Sequence, residues 1–218
     1  MIITFAGQKG GSGKSTAAMA VAAESHARGL RVLLVDADHQ GSLRTWADLA
    51  TEQGRNVPTV VAMGASMYRP EQLPRLAQGF DLVVIDCPPR HDDIQRAALM
   101  VADVVVLPCG PSPLDAWSLV EGLDLVRKAQ QLRPELLAVV LLTRRIARTS
   151  LGAGAREALE GSGLPVLASE LGYRVAYQEA PAAGLGVTAY EPRGQAAEEV
   201  RALVVELEQL GKEVRCAA

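Results

Sequence analysis

The feature that most constrains this chain lies at its start. Ile2–Ala6 is an apolar run, and Gly7-Gln8-Lys9-Gly10-Gly11-Ser12-Gly13-Lys14-Ser15-Thr16 follows it directly. An Ala-rich helical pattern begins at Lys14 and stops near Arg28, where Gly29 supplies a natural terminator. A buried strand, a glycine-rich turn and a helix N-terminus are the parts of a phosphate cradle. Glycines let successive backbone N–H groups curl around an anion, and the helix end adds positive potential. Lys14 is spaced to reach the outer phosphates of a nucleotide, and the Ser15 hydroxyl to ligate Mg²⁺. The usual spacing places a glycine five residues before Gly13, where this chain has Gln8.

The rest of the chain repeats the alternation. Short Val/Ile/Leu-rich runs fall at Arg31–Asp36, Val57–Ala62, Phe80–Asp86, Asp103–Leu107 and Leu137–Thr143, with a weaker one at Leu164–Ala168. Apolar residues fill nearly every position, as expected of strands covered on both faces of a parallel sheet. Helical patterns fall between them at Ser42–Gln53, Arg90–Val101, Asp115–Leu132, Gly152–Glu160 and Gln195–Gly211. The expected fold is α/β, a doubly wound, mostly parallel sheet flanked by helices, in one domain over residues 1–218.

Composition narrows the function classes. Apolar residues make up 49% and charged residues 22%, a globular balance that excludes a disordered or coiled-coil chain. The formal net charge of −3 gives no global field toward nucleic acid or acidic lipid, so such contacts need a local patch. Three widely spaced cysteines without a CxxC pair argue against a disulfide scaffold or zinc site and fit a reducing cytosol. The chain uses 18 Arg and only 4 Lys, yet Lys9 and Lys14 both lie in the glycine-rich turn. A slender ammonium suits a phosphate cradle better than a wide guanidinium.

Two strand ends carry carboxylates. Leu33-Leu34-Val35-Asp36-Ala37-Asp38-His39-Gln40-Gly41 places Asp36 and Asp38 two apart, on one side of the chain at the ligand end of the sheet. Phe80-Asp81-Leu82-Val83-Val84-Ile85-Asp86 is an apolar run ending in an acid, the pattern of a carboxylate that holds Mg²⁺ through water.

Lys9-Gly10-Gly11-Ser12-Gly13-Lys14-Ser15 fits the signature of the deviant Walker A ATPases at every place, and the chain resembles the ParA/MinD family. The proline-rich Pro108–Asp115 segment, Leu141–Arg145 and the block Arg174–Pro192 resemble its short plasmid-partition branch. The resemblance implies a P-loop ATPase using ATP and Mg²⁺, with an ATP-sandwich homodimer in which Lys9 contacts the partner's phosphates. It implies that Asp38 positions the attacking water, that Ser15, Asp36 and Asp86 support the metal, and that Thr16 completes the phosphate loop. Cys87-Pro88-Pro89 looks like the family's second switch loop, and Thr143 and Arg144 occupy the place where relatives meet adenine. His39 stands where the family has proline.

The family relationship further implies DNA partition: non-specific nucleoid DNA bound by the ATP dimer, and a ParB-type or ribbon-helix-helix centromere-binding partner that stimulates weak hydrolysis. Positioning of another cargo is the alternative. Arg144, Arg145, Arg148 and Arg156 form the candidate DNA contact. No N-terminal helix-turn-helix is expected ahead of the glycine-rich turn. The C-terminal helix sets Val200, Leu203, Val204, Leu207 and Leu210 on one face and carries an acidic polar face, which fits packing on the sheet rather than a membrane. The expected location is the cytoplasm, on the nucleoid when ATP is bound.

Overall fold

The computed structural model describes residues 1–146 and 150–217, with side chains outside 150–153 and 215–217. Seven strands form one sheet: β1 (Ile2–Phe5), β2 (Val32–Asp36), β3 (Thr59–Ala62), β4 (Leu82–Asp86), β5 (Val104–Cys109), β6 (Leu137–Arg145) and β7 (Val166–Gly172). Their order is β3-β2-β4-β1-β5-β6-β7. Every pairing is parallel. All strand C-termini therefore lie along one edge, where a doubly wound sheet binds its ligand.

Nine helices connect and cover these strands among the described residues: α1 (Lys14–Ala27), α2 (Ser42–Glu52), α3 (Leu73–Ala77), α4 (Asp92–Leu99), α5 (Pro113–Leu132), α6 (Ser150–Glu160), α7 (Ala176–Ala182), α8 (Val187–Tyr190) and α9 (Gln195–Ala217). A 3-10 turn spans Ala65–Tyr68. None of the described helices is long and apolar enough to cross a membrane.

Strand residues alternate between two cores, because successive side chains leave a strand on opposite faces. Ile3, Phe5, Leu34, Val84, Val106 and Leu141 pack in the core formed with α1, α2 and α9. Leu33, Val35, Val83, Ile85, Val105 and Val140 pack in the other, with α4, α5 and Met67. The continuous apolar runs thus serve both faces at once.

The sequence patterns locate all seven strands, with shifted ends. β3 starts at Thr59 because Pro58 lacks an N–H for the ladder. β7 runs to Gly172, four residues past its apolar run, as Glu170 pairs with arginines rather than ending the strand. α5 starts at Pro113: Ser112 accepts from the Asp115 N–H and Asp115 accepts from the Ser112 N–H, a reciprocal capping box. α9 extends to Ala217. It buries Val200, Leu203, Val204 and Leu207, with Leu210 packed partly against the same core, so the apolar face covers the sheet as its pattern implies. The short elements α3, α7, α8 and the 3-10 turn escape the periodicity argument, being little longer than one or two turns.

Candidate nucleotide site

The glycine-rich turn leaves β1 at the middle of the sheet, between β4 and β5. Register places Phe5 beside Asp86, and Asp86 beside Asp36. Three functional segments thus meet at one edge because their strands are neighbours.

Gly7, Gly11 and Gly13 adopt φ of 144°, 72° and 96°, left-handed conformations that favour glycine. Gly13 is the residue before α1, and no side chain caps that helix. Lys14 is buried and donates to the Lys9 carbonyl at 2.8 Å. Burial pushes its ammonium below the ordinary value, opposed chiefly by the Asp86 charge and then by Cys87 and Asp38. Thr143 donates to the Ser12 carbonyl at 2.8 Å, bracing the loop from β6.

Asp86 is the most perturbed carboxylate. Burial raises its pKa to about 7, against a hydrogen bond from Ser15 and the Lys14 charge. Its Oδ1 is buried without a hydrogen-bond partner. A buried oxygen left open beside a hydroxyl and facing a phosphate loop fits a hard cation such as Mg²⁺, which takes one or two protein oxygens plus phosphate and water. Asp36 is engaged differently. Its Oδ1 accepts from the Asp38 N–H and its Oδ2 from the Arg44 N–H, both at 3.2 Å, with the Arg44 guanidinium at 3.5 Å. Asp36 holds the turn and the start of α2. Asp38 accepts from the Gln40 N–H at 2.9 Å and faces His39 at 3.4 Å. The His39 ring, standing where proline was expected, meets His91 edge-on at 5.6 Å between centroids.

Lys9 does not project freely. Its ammonium lies 2.8 Å from Asp115, and Arg144 contacts the same carboxylate oxygen at 2.9 Å. Burial raises the Asp115 pKa, but hydrogen bonds from Lys9 and Ser112 and the Arg144 charge outweigh it, leaving the group below its ordinary value. Asp115 was missed as a site residue because its capping-box position already explains an acid there.

Arg144 lies at φ 52° and, with Thr143, Tyr173 and Tyr177, lines an open cleft beside Gly11, Gly13 and Thr16. The Thr143 hydroxyl donates to the Ser12 carbonyl and one Arg144 Nη to Asp115, while the Arg144 Nε is buried without a hydrogen-bond partner. Arg145 and Arg156 both pair with Glu170, at 3.1 and 2.8 Å. The described arginines of the candidate DNA patch thus share two carboxylates: Arg145 and Arg156 divide Glu170, and Arg144 divides Asp115 with Lys9, so the cluster keeps an excess of positive charge. Arg148 lies outside the described residues. Cys87 and Cys109 are free and buried; burial pushes the Cys109 thiol up to about 12 and the Cys87 thiol higher still. Neither is poised as a reactive thiolate.

A glycine-rich phosphate loop at the centre of a parallel sheet, with an acid-ended strand beside it, defines the class: a P-loop nucleotide-binding protein. Residues 3–187 match the CobQ/CobB/MinD/ParA nucleotide binding domain, and the chain belongs to that family. It is 33% identical over 209 residues to the maintenance of carboxysome distribution protein A of Halothiobacillus neapolitanus, covering 94% of this chain and 95% of that protein. It is 30% identical over 237 residues to the chromosome-partitioning ATPase Soj of Thermus thermophilus, covering 94% of each. Among solved structures, the septum site-determining protein MinD of Pyrococcus horikoshii, complexed with Mg-ADP, superposes with a TM-score of 0.76 at 19% identity, covering 98% of each chain.

Proposed function

We propose that this protein is a ParA-type ATPase that positions cargo by cycling between an ATP-bound dimer and an ADP-bound monomer. The observation that carries it is the loop itself: Lys14 buried under a glycine cradle, with the Ser15–Asp86 pair and its open oxygen alongside. The likeness to a protein named for carboxysome distribution favours a protein assembly as cargo. Partition of DNA, the reading drawn from the ParA/MinD resemblance, is the second, supported by the likeness to Soj.

In this mechanism the loop amides and Lys14 hold the β- and γ-phosphates, and their positive charge meets the charge that develops on the transferred group. Ser15 and Asp86 would hold Mg²⁺, which neutralises phosphate charge when bound. Asp38, supported by Asp36, orients the attacking water. Lys9 leaves Asp115 and reaches the triphosphate of a second copy. Competition from Asp115 and the absence of the partner's lysine both keep turnover slow in the monomer. Non-specific DNA is the proposed track and a cargo-bound partner the proposed stimulator. Arg144, Arg145 and Arg156 share Asp115 and Glu170 with Lys9, so each copy keeps a local excess of positive charge, and dimerisation would combine the fields of two copies.

The test is DNA binding with ATP, ADP or no nucleotide over a salt series, with dimerisation followed by light scattering. Binding that appears only with ATP, accompanies dimer formation and weakens steeply with salt is the expected result. Equal binding in all three nucleotide states would refute the cycle.

A further inference from the structure

Gln95 lies fully buried in α4, yet neither end of its amide serves that helix. Its Oε1 accepts from the Gly7 N–H at 3.2 Å, and its Nε2 donates to the Pro88 carbonyl at 3.0 Å. Gly7 opens the phosphate loop. Pro88 follows Asp86 by two residues, in the turn that enters α4. One uncharged side chain therefore bridges two loops that belong to strands β1 and β4.

Beyond the Cys87 N–H, which donates to the Phe5 carbonyl at 3.1 Å, the turn after Asp86 has few ties of its own. Pro88 and Pro89 have no backbone N–H, so neither can tie the turn by a local donor. His91 precedes α4 without a side-chain cap, and Arg90 lies at φ 56°. Nearby contacts are exposed and softer: Gln8 donates to Asp92 at 2.8 Å, and His91 meets His39. Of the Gln95 bonds, the one to Pro88 is buried and the one from Gly7 partly buried. A hydrogen bond near 3 Å has only a few tenths of an ångström of slack before it weakens steeply. A buried amide that loses one end keeps an unsatisfied polar group in the core.

We infer that Gln95 is a positioning residue that ties the entry of the phosphate loop to the turn at 87–91, so that a nucleotide seated in the loop sets the conformation of that turn. The inference rests on the ATP reading above. It adds a named connection by which an occupied loop signals to the surface carrying Arg90 and His91.

Hydrogen–deuterium exchange on the full chain, with and without Mg·AMPPNP, tests it. In the parent, nucleotide slows exchange in peptides spanning 7–18 and 89–96. In Gln95→Met, which removes both bonds at similar volume, protection at 7–18 persists and that at 89–96 falls to the nucleotide-free level. Gln95→Glu keeps the acceptor for Gly7 but sets an oxygen against the Pro88 carbonyl, and loses the same protection. Turnover at saturating ATP then falls about tenfold while KM stays within about threefold, the split expected of lost positioning rather than lost binding. Parent-level protection at 89–96 in both variants overturns the inference, as does failure of both to fold cooperatively. Protection at 7–18 but not 89–96 in the parent refutes the coupling alone. Absence of nucleotide protection at 7–18 in the parent refutes the ATP reading and this inference with it.

Discussion

Gly186 offers a clean test of how the C-terminal block packs against the far end of α1. It precedes α8 at φ −75° and ψ 155°, extended backbone that alanine adopts freely. A Cβ built there would sit 2.6 Å from the Cβ of Ala23 in α1. Non-bonded carbons settle at about 3.5–4.0 Å, so Gly186→Ala must part α8 from α1 by about 1 Å. Overpacking of this size costs about 1–3 kcal/mol. For a chain of this length that lowers Tm by about 2–4 °C per kcal/mol. Ala23→Gly alone costs about 1 kcal/mol through helix propensity. Combined, the two changes remove the clash, and the double variant should lie near Ala23→Gly rather than at the sum. Urea unfolding of the four proteins gives the coupling directly. If the two penalties add to within about 0.5 kcal/mol, the steric argument is wrong.

Other outcomes follow from the site. Asp115 has a depressed pKa in the folded state, so its contribution to stability is present above its ordinary value of 3.8 and lost as pH falls through the lower folded value. Asp115→Asn should therefore lower stability near neutral pH and shrink its gap to the parent in acid, read from urea midpoints at pH 2 to 7. Lys9→Ala should bind ATP analogues as the parent does but fail to form the ATP-dependent dimer, checked by multi-angle light scattering. Equal dimerisation would remove the proposed role of Lys9 across the interface. Asp38→Ala should lower partner-stimulated turnover by about 10²–10⁴-fold while retaining bound ATP, measured by phosphate release and filter retention.

Much of the architecture was legible because its signals are dense. β1, β2, β4, β5 and β6 read as unbroken apolar runs since both faces are covered, and the glycines at 7, 11 and 13 mark backbone that other residues resist. The acids at 36 and 86 were visible as strand ends, but their division of labour was not: only the structure shows Asp36 spent on the α2 entry while Asp86 keeps an open oxygen. Lys9, Arg144 and Asp115 come from three segments far apart in sequence, so no spacing rule unites them. Gln95 and the Glu170 pairings were hidden for the same reason, since a polar residue in a helix or strand carries no sign of what it reaches across the fold.

Helix α1 begins after a glycine, with neither Ser, Thr, Asp nor Asn to accept from its first-turn amides. Most helices finish their own ends from within the chain. Here an acidic or hydroxylic residue in that place would compete for the donors that should grip a phosphate. The protein therefore leaves the first turn of α1 dependent on a visitor. Its resistance to unfolding should rise and fall with the cell's supply of nucleotide, even where no hydrolysis takes place.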